Sequence, residues 1–192
     1  MIHFDRVPEP AGFAAEVERP GADWLAANPG AARPRSLWGP FTGALAEGFR
    51  HLCGYSAMWV PSSGTVDHFV SWNEDRSLAY RWANYRFAAS WLNSSKQRLR
   101  AEQVLDPFEV ADGWFEIILP SLQLVVTDTI PAAARDRAAF VLKRLHLAHD
   151  ERIIRQRREW YRMYQAGELT LGGLALKAPL IAAAVRKQLA VR

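Results

Sequence analysis

Cysteine is nearly absent from this chain, which has a single one, Cys53, among its 192 residues. No disulfide can therefore form within the chain, and this is typical of proteins kept in a reducing compartment. No apolar run approaches the roughly 18 residues that a membrane-spanning helix needs. Residues 1–5 also lack the basic and apolar regions that open an export signal. We therefore expect a cytoplasmic protein with no membrane partner.

Several widespread catalytic motifs are missing as well. The sequence has no glycine-rich phosphate loop of the Walker or Rossmann type, no Gly-x-Ser-x-Gly nucleophile elbow and no His-Glu-x-x-His metal pair. Any chemistry must therefore come from other combinations of residues.

The net charge of +4 is unevenly distributed along the chain. Residues 1–132 carry 11 Lys/Arg against 15 Asp/Glu, whereas residues 133–192 carry 13 against 5. A basic surplus confined to the last third of the chain is consistent with nucleic-acid binding. A solvated helical surface is the commoner explanation of such a run, and it stays open here.

One stretch in the middle of the chain combines strand propensity with chemically active side chains. Residues 58–60 and 65–70 favour strands, and residues 61–64 (Pro-Ser-Ser-Gly) between them predict a hairpin with a four-residue turn. Residues 84–93 then predict a helix with one apolar side. A hairpin followed by a helix can hold one divalent ion between the second strand and the helix.

The side chains of this stretch suit such a site. Asp67 is a hard oxygen donor of the kind that Mg²⁺ and Mn²⁺ prefer, and Asn93 adds a neutral carbonyl oxygen. His68 can accept a proton near neutral pH. Adjacent strand residues point to opposite faces, so Asp67 and His68 can face one ion together only if the strand end is bent.

At these residues the sequence resembles the HNH nucleases, or ββα-metal nucleases. Their pattern is a strand ending in Asp-His, a central Asn, and a helix that bears His or Asn and often a following Lys. Residues 66–69 (Val-Asp-His-Phe) match the first element. The spacing Asn84-x8-Asn93-x2-Lys96 is similar, position by position, to the HNH domain of RNA-guided DNA nucleases.

The resemblance implies a role for each matching residue. His68 would draw a proton from water, and Asn84 would hold the backbone that orients His68. Asp67 and Asn93 would hold one Mg²⁺ or Mn²⁺ ion. Contacts to the substrate phosphate are expected from Lys96, Arg86 and Arg98.

Many members of this family also carry a structural zinc, bound by two Cys-x-x-Cys pairs around the core. Here the first pair is reduced to Cys53 and Ser56, and Ala89 and Leu92 stand where the second pair is expected. We therefore expect no structural zinc. Aromatic packing would have to hold this turn in its place, and the candidates are Tyr55, Trp59, Trp82 and Trp91.

The remainder of the chain predicts a second hairpin and a helical annex. Residues 114–119 and 122–127 are strand-like, and the chain reads as helical from Pro131 onward. Asp150 is a predicted cap for a helix that ends near Gln165, before Gly167. The candidates for nucleic-acid contacts on that helix are Arg155, Arg158 and Arg162. A surface for a partner protein is the main rival interpretation.

Together these features predict an α+β chain. An HNH-like ββα core (residues 42–104) is embedded in a mostly helical single domain, between an N-terminal wrapping segment (1–41) and a second hairpin with basic C-terminal helices (105–192). The expected activity is metal-dependent endonucleolytic hydrolysis of nucleic acid, with DNA the first expectation.

Three alternatives stay open. The chain could be a catalytically silent binding module on the same scaffold. It could also be a nuclease subunit that acts only with an ATPase partner, as in HNH proteins of bacterial phage (antiviral) defence. A weaker alternative pairs the Cys53 thiol with His51 or His68 for nucleophilic catalysis. It is weaker because position 53 corresponds to a zinc ligand in the family.

Overall fold

Seven α-helices and two small antiparallel hairpins make up the regular structure of the computed structural model, which describes residues 1–61, 64–97 and 99–191. The predicted α+β class is confirmed. The helices are α1 (Arg19–Ala27), α2 (Thr42–Gly48), α3 (Ser90–Lys96), α4 (Ala132–Arg144), α5 (Glu151–Gln165), α6 (Leu171–Lys177) and α7 (Pro179–Ala190). The strands are β1 (Thr65–His68), β2 (Tyr85–Ala88), β3 (Phe115–Ile118) and β4 (Gln123–Val126). None of the helices in the described ranges has the length and apolarity needed to cross a membrane.

The first hairpin and α3 form a ββα unit, but its strands are not the expected pair. β1 pairs antiparallel with β2, so that Thr65 lies opposite Ala88 and His68 lies opposite Tyr85. The prediction that residues 58–60 pair with β1 was wrong, because Trp59 instead makes an isolated bridge to Leu52. Positions 62 and 63 of the predicted turn lie outside the described residues.

The predicted helix over residues 84–93 was also wrong in its first half. Tyr85–Ala88 is a strand whose four residues are all buried, and the helix begins only at Ser90. The alternation of Tyr85, Arg86 and Phe87 suits a strand as well as a helix in sequence terms. Pairing with β1 decided between them, because it satisfies the backbone groups of both buried segments.

The second half of the chain follows the prediction closely. β3 and β4 form the expected hairpin, with Phe115 opposite Val126. Asp150 caps α5 by accepting a hydrogen bond from the Arg152 amide, and Gly167 follows that helix with a φ of +74°.

Pro20 does not break the helical part of the N-terminal segment. A short π-helical turn over Ala14–Glu18 continues directly into α1, and Pro20 lies in the first turn of α1. Proline has no N–H to donate to the preceding turn, and the π-helical turn, in which the Arg19 amide donates to the Ala14 carbonyl, lies directly before it. Phe13, just before the turn, packs on Trp82 and Tyr85 with ring centroids 5.0 and 5.8 Å apart.

After α1 the chain crosses the ββα unit as a largely irregular strap, residues 28–41, which ends in a short 3₁₀ helix (Gly39–Phe41). The Arg76 guanidinium donates to the carbonyl oxygens of Ala31 (2.6 Å) and Asn28 (3.1 Å). The Tyr80 hydroxyl donates to the Arg35 carbonyl at 2.9 Å. These bonds fix the path of the strap over the loop that joins β1 to β2.

A buried ion pair ties β2 to the segment that follows α3. Arg86 donates from Nε and Nη2 to the two carboxylate oxygens of Asp106, at 2.7 and 2.6 Å. The side chains are only 3% and 5% exposed, and the guanidinium stacks on Phe108 at 3.9 Å. Removal of one partner would leave the other charge buried and unpaired.

We expect Asp106→Asn to lower the free energy of unfolding by about 3–5 kcal/mol, because the Arg86 charge would remain buried without its carboxylate. Urea denaturation followed by tryptophan fluorescence measures this change. Glu116→Gln is the matched control, because Glu116 pairs with Lys187 at 2.9 Å on the surface, and its loss should cost less than about 1 kcal/mol. Equal losses in the two variants would contradict a structural role for the buried pair.

Candidate active site

His68 is the last residue of β1, and three aromatic rings enclose its imidazole. The ring centroids of Trp38, Tyr85 and Trp72 lie 4.6, 5.0 and 5.1 Å from that of His68, each in an edge-to-face arrangement. Only 5% of the residue is exposed. The imidazole is therefore held in one orientation at the edge of the ββα unit.

A backbone carbonyl fixes the tautomer of this imidazole. His68 Nε2 lies 2.8 Å from the Ala79 carbonyl oxygen. A carbonyl only accepts hydrogen bonds, so Nε2 must carry the hydrogen. Nδ1, which has no hydrogen-bond partner within the described part of the chain, is then the nitrogen with the free lone pair. This is the arrangement that a general base requires.

The surroundings also set the protonation state of His68. Burial lowers the pKa of its imidazole below the ordinary value of 6.5, and the nearby Lys96 charge acts in the same direction. The Ala79 hydrogen bond and the Asp67 carboxylate oppose this shift but do not cancel it. His68 is therefore neutral at pH 7 and able to accept a proton.

Asn84 makes the backbone hydrogen bonds that the sequence analysis predicted. Its Oδ1 accepts from the Val70 amide at 2.8 Å, and its Nδ2 donates to the carbonyls of Val70 (2.9 Å) and Leu78 (3.1 Å). These bonds join the backbone just after His68 to the backbone just before Ala79. They therefore hold both sides of the Nε2 contact in position.

Asp67 is buried and makes two strong contacts. Its Oδ2 accepts from the Tyr55 hydroxyl at 2.5 Å, and its Oδ1 accepts from Lys96 Nζ at 3.1 Å. Burial and the Asp67 charge raise the pKa of Tyr55 well above its usual value, so the phenol keeps its proton and donates. The contact residues of Asp67 differ entirely from the rings around His68, as expected for neighbours in a strand.

The structure gives Lys96 a role other than the expected phosphate contact. Besides Asp67, its ammonium donates to the carbonyls of His68 and Phe69, both at 2.9 Å. Lys96 is 2% exposed, and these bonds use all three of its N–H donors. It therefore binds the end of β1, where the sequence analysis expected a free cation.

Arg86 is likewise committed to the interior, so the expectation that it contacts phosphate is corrected. Its Nη1 donates to the carbonyls of Ala83 and Tyr85 at 2.8 Å, in addition to the Asp106 pair. The third predicted phosphate ligand, Arg98, lies outside the described residues.

Asn93 reaches from α3 to β1. Its Nδ2 donates to Thr65 Oγ1 (3.0 Å) and to the Val66 carbonyl (3.1 Å). The carbonyl acceptor fixes the orientation of the amide. Its Oδ1 makes no hydrogen bond to any residue in the described ranges, so this oxygen is available to a ligand.

These side chains share one cleft. A depression of about 830 Å³ is lined by Asp67, His68, Asn93 and Lys96 on one side and by the strap on the other. The structure therefore brings together four residues that the sequence analysis grouped, although the strands were paired wrongly.

The oxygen donors at the cleft fit a divalent ion only as part of a larger shell. No group of three or more His, Cys, Asp or Glu side chains forms a metal cluster among the residues described. Asp67 and Asn93 offer one carboxylate and one amide oxygen, and Asp67 retains lone pairs beyond those taken by Tyr55 and Lys96. Mg²⁺ commonly binds to one or two such protein oxygens, with water and substrate phosphate completing the shell.

The turn that holds zinc ligands in HNH proteins is closed here by other contacts. Cys53 is buried, and its Sγ accepts a hydrogen bond from the Ala89 amide at 3.3 Å. This bond connects the place of the first Cys-x-x-Cys pair (Cys53) to the place of the second (Ala89). The Gly54 amide donates to the Phe87 carbonyl at 2.9 Å. Within the described ranges Cys53 makes no hydrogen bond to His51 or His68, so the geometry does not support the thiol–imidazole alternative.

The predicted nucleic-acid contacts on α5 are exposed. Arg155 pairs with Glu151 at 2.9 Å, and Arg162 contacts Glu159 and Glu168 at 3.3 and 3.0 Å. Arg158 is exposed as well. The stacking of Arg152 on Trp91 at 4.7 Å places the first turn of α5 beside α3.

Four contributors to the site were not predicted from the sequence. Trp38 and Trp72, which enclose His68, carried no periodic signal, and the Ala79 carbonyl is a backbone group that no motif reveals. The Tyr55 hydroxyl was expected only to pack, whereas it binds Asp67.

No protein-family model matches this chain, and neither the curated proteins nor the solved structures yield a match. The resemblance to HNH nucleases therefore rests on the residues themselves and on their spacing in the sequence.

We expect the free energy of unfolding to fall as the pH falls below 6.5, because the unfolded chain then protonates His68 while the folded protein does not. The loss should be at most about 1.4 kcal/mol for each pH unit crossed, and it ends at the lowered pKa. Urea titrations of the wild type and of His68→Gln measure the difference, since glutamine keeps a donor for Ala79.

The control for this experiment is His149→Gln, at an exposed histidine. It should retain the acid sensitivity of the wild type. If His68→Gln loses stability with pH as steeply as the wild type, His68 does not have a lowered pKa.

Proposed function

We propose that this protein is a metal-dependent nuclease that hydrolyses phosphodiester bonds of nucleic acid, with His68 as general base. The observation that carries the proposal is the way the His68 imidazole is held. Its Nε2 hydrogen is committed to the Ala79 carbonyl at 2.8 Å, and its Nδ1 has no bond to the described chain. The predicted partners Asp67 and Asn93 line the same cleft.

The reaction needs a proton acceptor for the attacking water. Nδ1 of His68 would take the proton as the water oxygen bonds to phosphorus, and the bond from phosphorus to the leaving oxygen would break. The Asp67 carboxylate favours the resulting imidazolium, and the Ala79 carbonyl keeps its hydrogen bond throughout. The leaving oxygen would take its proton from solvent.

Asp67 and Asn93 are the residues that would hold the divalent ion. When bound, such an ion stabilises the negative charge that develops on the phosphate and on the leaving oxygen. Lys96 positions Asp67 through the 3.1 Å ion pair and binds the two carbonyls that end β1. In this proposal it is a positioning residue.

We expect purified protein to cut plasmid DNA when Mg²⁺ or Mn²⁺ is supplied, and His68→Gln to lower the rate by roughly 10²–10⁴-fold, the usual contribution of a general base. The rate should rise with pH up to the lowered pKa of His68 and then level off. Gel assays of supercoiled plasmid measure both effects, with chelator as the blank.

His149→Gln, purified in the same way, is the matched control and should cut like the wild type. If His68→Gln and the wild type cut equally, the activity comes from elsewhere or from a contaminant, and His68 is not the base. A short RNA assayed in parallel decides between the two nucleic acids.

A second candidate function is a catalytically silent module that binds nucleic acid or protein. It is favoured by the Asp67 contacts, since the carboxylate is already neutralised by Lys96 and hydrogen-bonded by Tyr55. Thermal melting with and without Mn²⁺ separates the candidates, because a bound ion raises the melting temperature. Activity that arises only with an added ATPase partner would instead identify a nuclease subunit.

A further inference from the structure

Binding of a phosphate in the cleft requires a cationic side chain. Two of the predicted phosphate ligands, Lys96 and Arg86, are instead bonded to buried carboxylates. The ionisable residues that line the cleft within the described ranges are Arg33, Asp67, His68 and Lys96. The Lys96 ammonium has all three donors in use, and His68 is held neutral by its surroundings. Arg33, from the strap, is the described cation of this cleft that has no carboxylate within ion-pair distance.

The backbone on both sides of Arg33 is fixed. The Ala31 carbonyl before it accepts from Arg76 at 2.6 Å, and the Arg35 carbonyl after it accepts from Tyr80 at 2.9 Å. Both donors come from the loop that joins β1 to β2, the same loop that supplies Ala79. The position of Arg33 is therefore coupled to the structure that orients His68.

The Arg33 side chain and the His68 imidazole both contact the Trp72 ring. The guanidinium carbon of Arg33 lies 5.7 Å from the centre of the Trp72 ring, and that ring lies 5.1 Å from the His68 ring. A cation–π contact uses the face of the guanidinium and leaves its N–H donors free in the plane. These donors make no hydrogen bond to the residues described here.

We propose that Arg33 is the phosphate-binding residue of the cleft, with Trp72 as the platform that positions it. The ligand class is the phosphodiester backbone of a nucleic-acid strand, which the planar guanidinium fork can bind through two parallel hydrogen bonds. A role of Arg33 in hydrolysis rests on the proposed function. Its role in binding a nucleic-acid strand does not, because binding requires no cleavage.

The test measures binding in the His68→Gln background, so that cleavage does not interfere. The probe is a fluorescently labelled DNA oligonucleotide, and anisotropy is recorded over a series of salt concentrations. We expect Arg33→Gln to raise the Kd about tenfold, in the range of a hydrogen bond to a charged group. It should also make the slope of log K against log salt shallower by about 0.9, the change expected when one phosphate contact is lost.

Arg35→Gln is the matched control. Arg35 is exposed on the same strap, but it does not line the cleft, so this variant makes the same charge change outside the site. It should leave the Kd and the salt slope near those of the parent. Arg33→Lys keeps the charge without the fork and should fall between the parent and Arg33→Gln.

The outcomes separate this inference from the proposed function. Arg33-dependent binding without any cutting by the wild type would support the inference and remove the nuclease proposal. Cutting by the wild type together with equal effects of Arg33→Gln and Arg35→Gln would overturn the inference alone. Absence of measurable binding by the parent would overturn it as well.

Discussion

The buried ammonium of Lys96 holds the end of β1 in place, and the candidate site depends on it. Its three bonds go to the Asp67 carboxylate and to the carbonyls of His68 and Phe69. A buried charge of this kind is stable only when it is paired and fully hydrogen-bonded. The contact therefore fixes the backbone from which His68 and Asp67 project in different directions, and it joins that backbone to α3.

The imidazole is oriented by a second set of contacts on the other side of the strand. Asn84 closes the loop between β1 and β2, the loop supplies the Ala79 carbonyl, and the strap supplies Trp38. These groups come from the β1–β2 loop and from the strap, two segments distant in the chain, yet all act on one ring. The result is an imidazole with a defined tautomer and a lowered pKa.

The residues of the candidate site could be predicted from the sequence better than the strands could. Asp67, His68, Asn84 and Asn93 were grouped by spacing, and the structure brings them to one region. The hairpin was misassigned, because residues 58–60 have strand propensity and lie nearer in sequence to β1 than β2 does. Propensity is a local quantity, whereas strand pairing depends on which segment can be buried against the partner. The same limit explains why Lys96 and Arg86 were expected at the surface, since no local signal shows that Asp67 and Asp106 would meet them in the core.

The sequence by itself determined the fold class, some element boundaries and the chemically active residue types. It indicated the α+β class, the second hairpin, the capped helix that begins after Asp150, and a histidine next to a carboxylate at a strand end, because these follow from periodicity and from residues that act on their own neighbourhood. Only the tertiary structure decided which strand pairs with β1, which cations are buried, and that Trp38, Trp72 and Ala79 surround His68. These are contacts between segments distant in the chain, and their formation depends on burial and charge pairing over the whole domain.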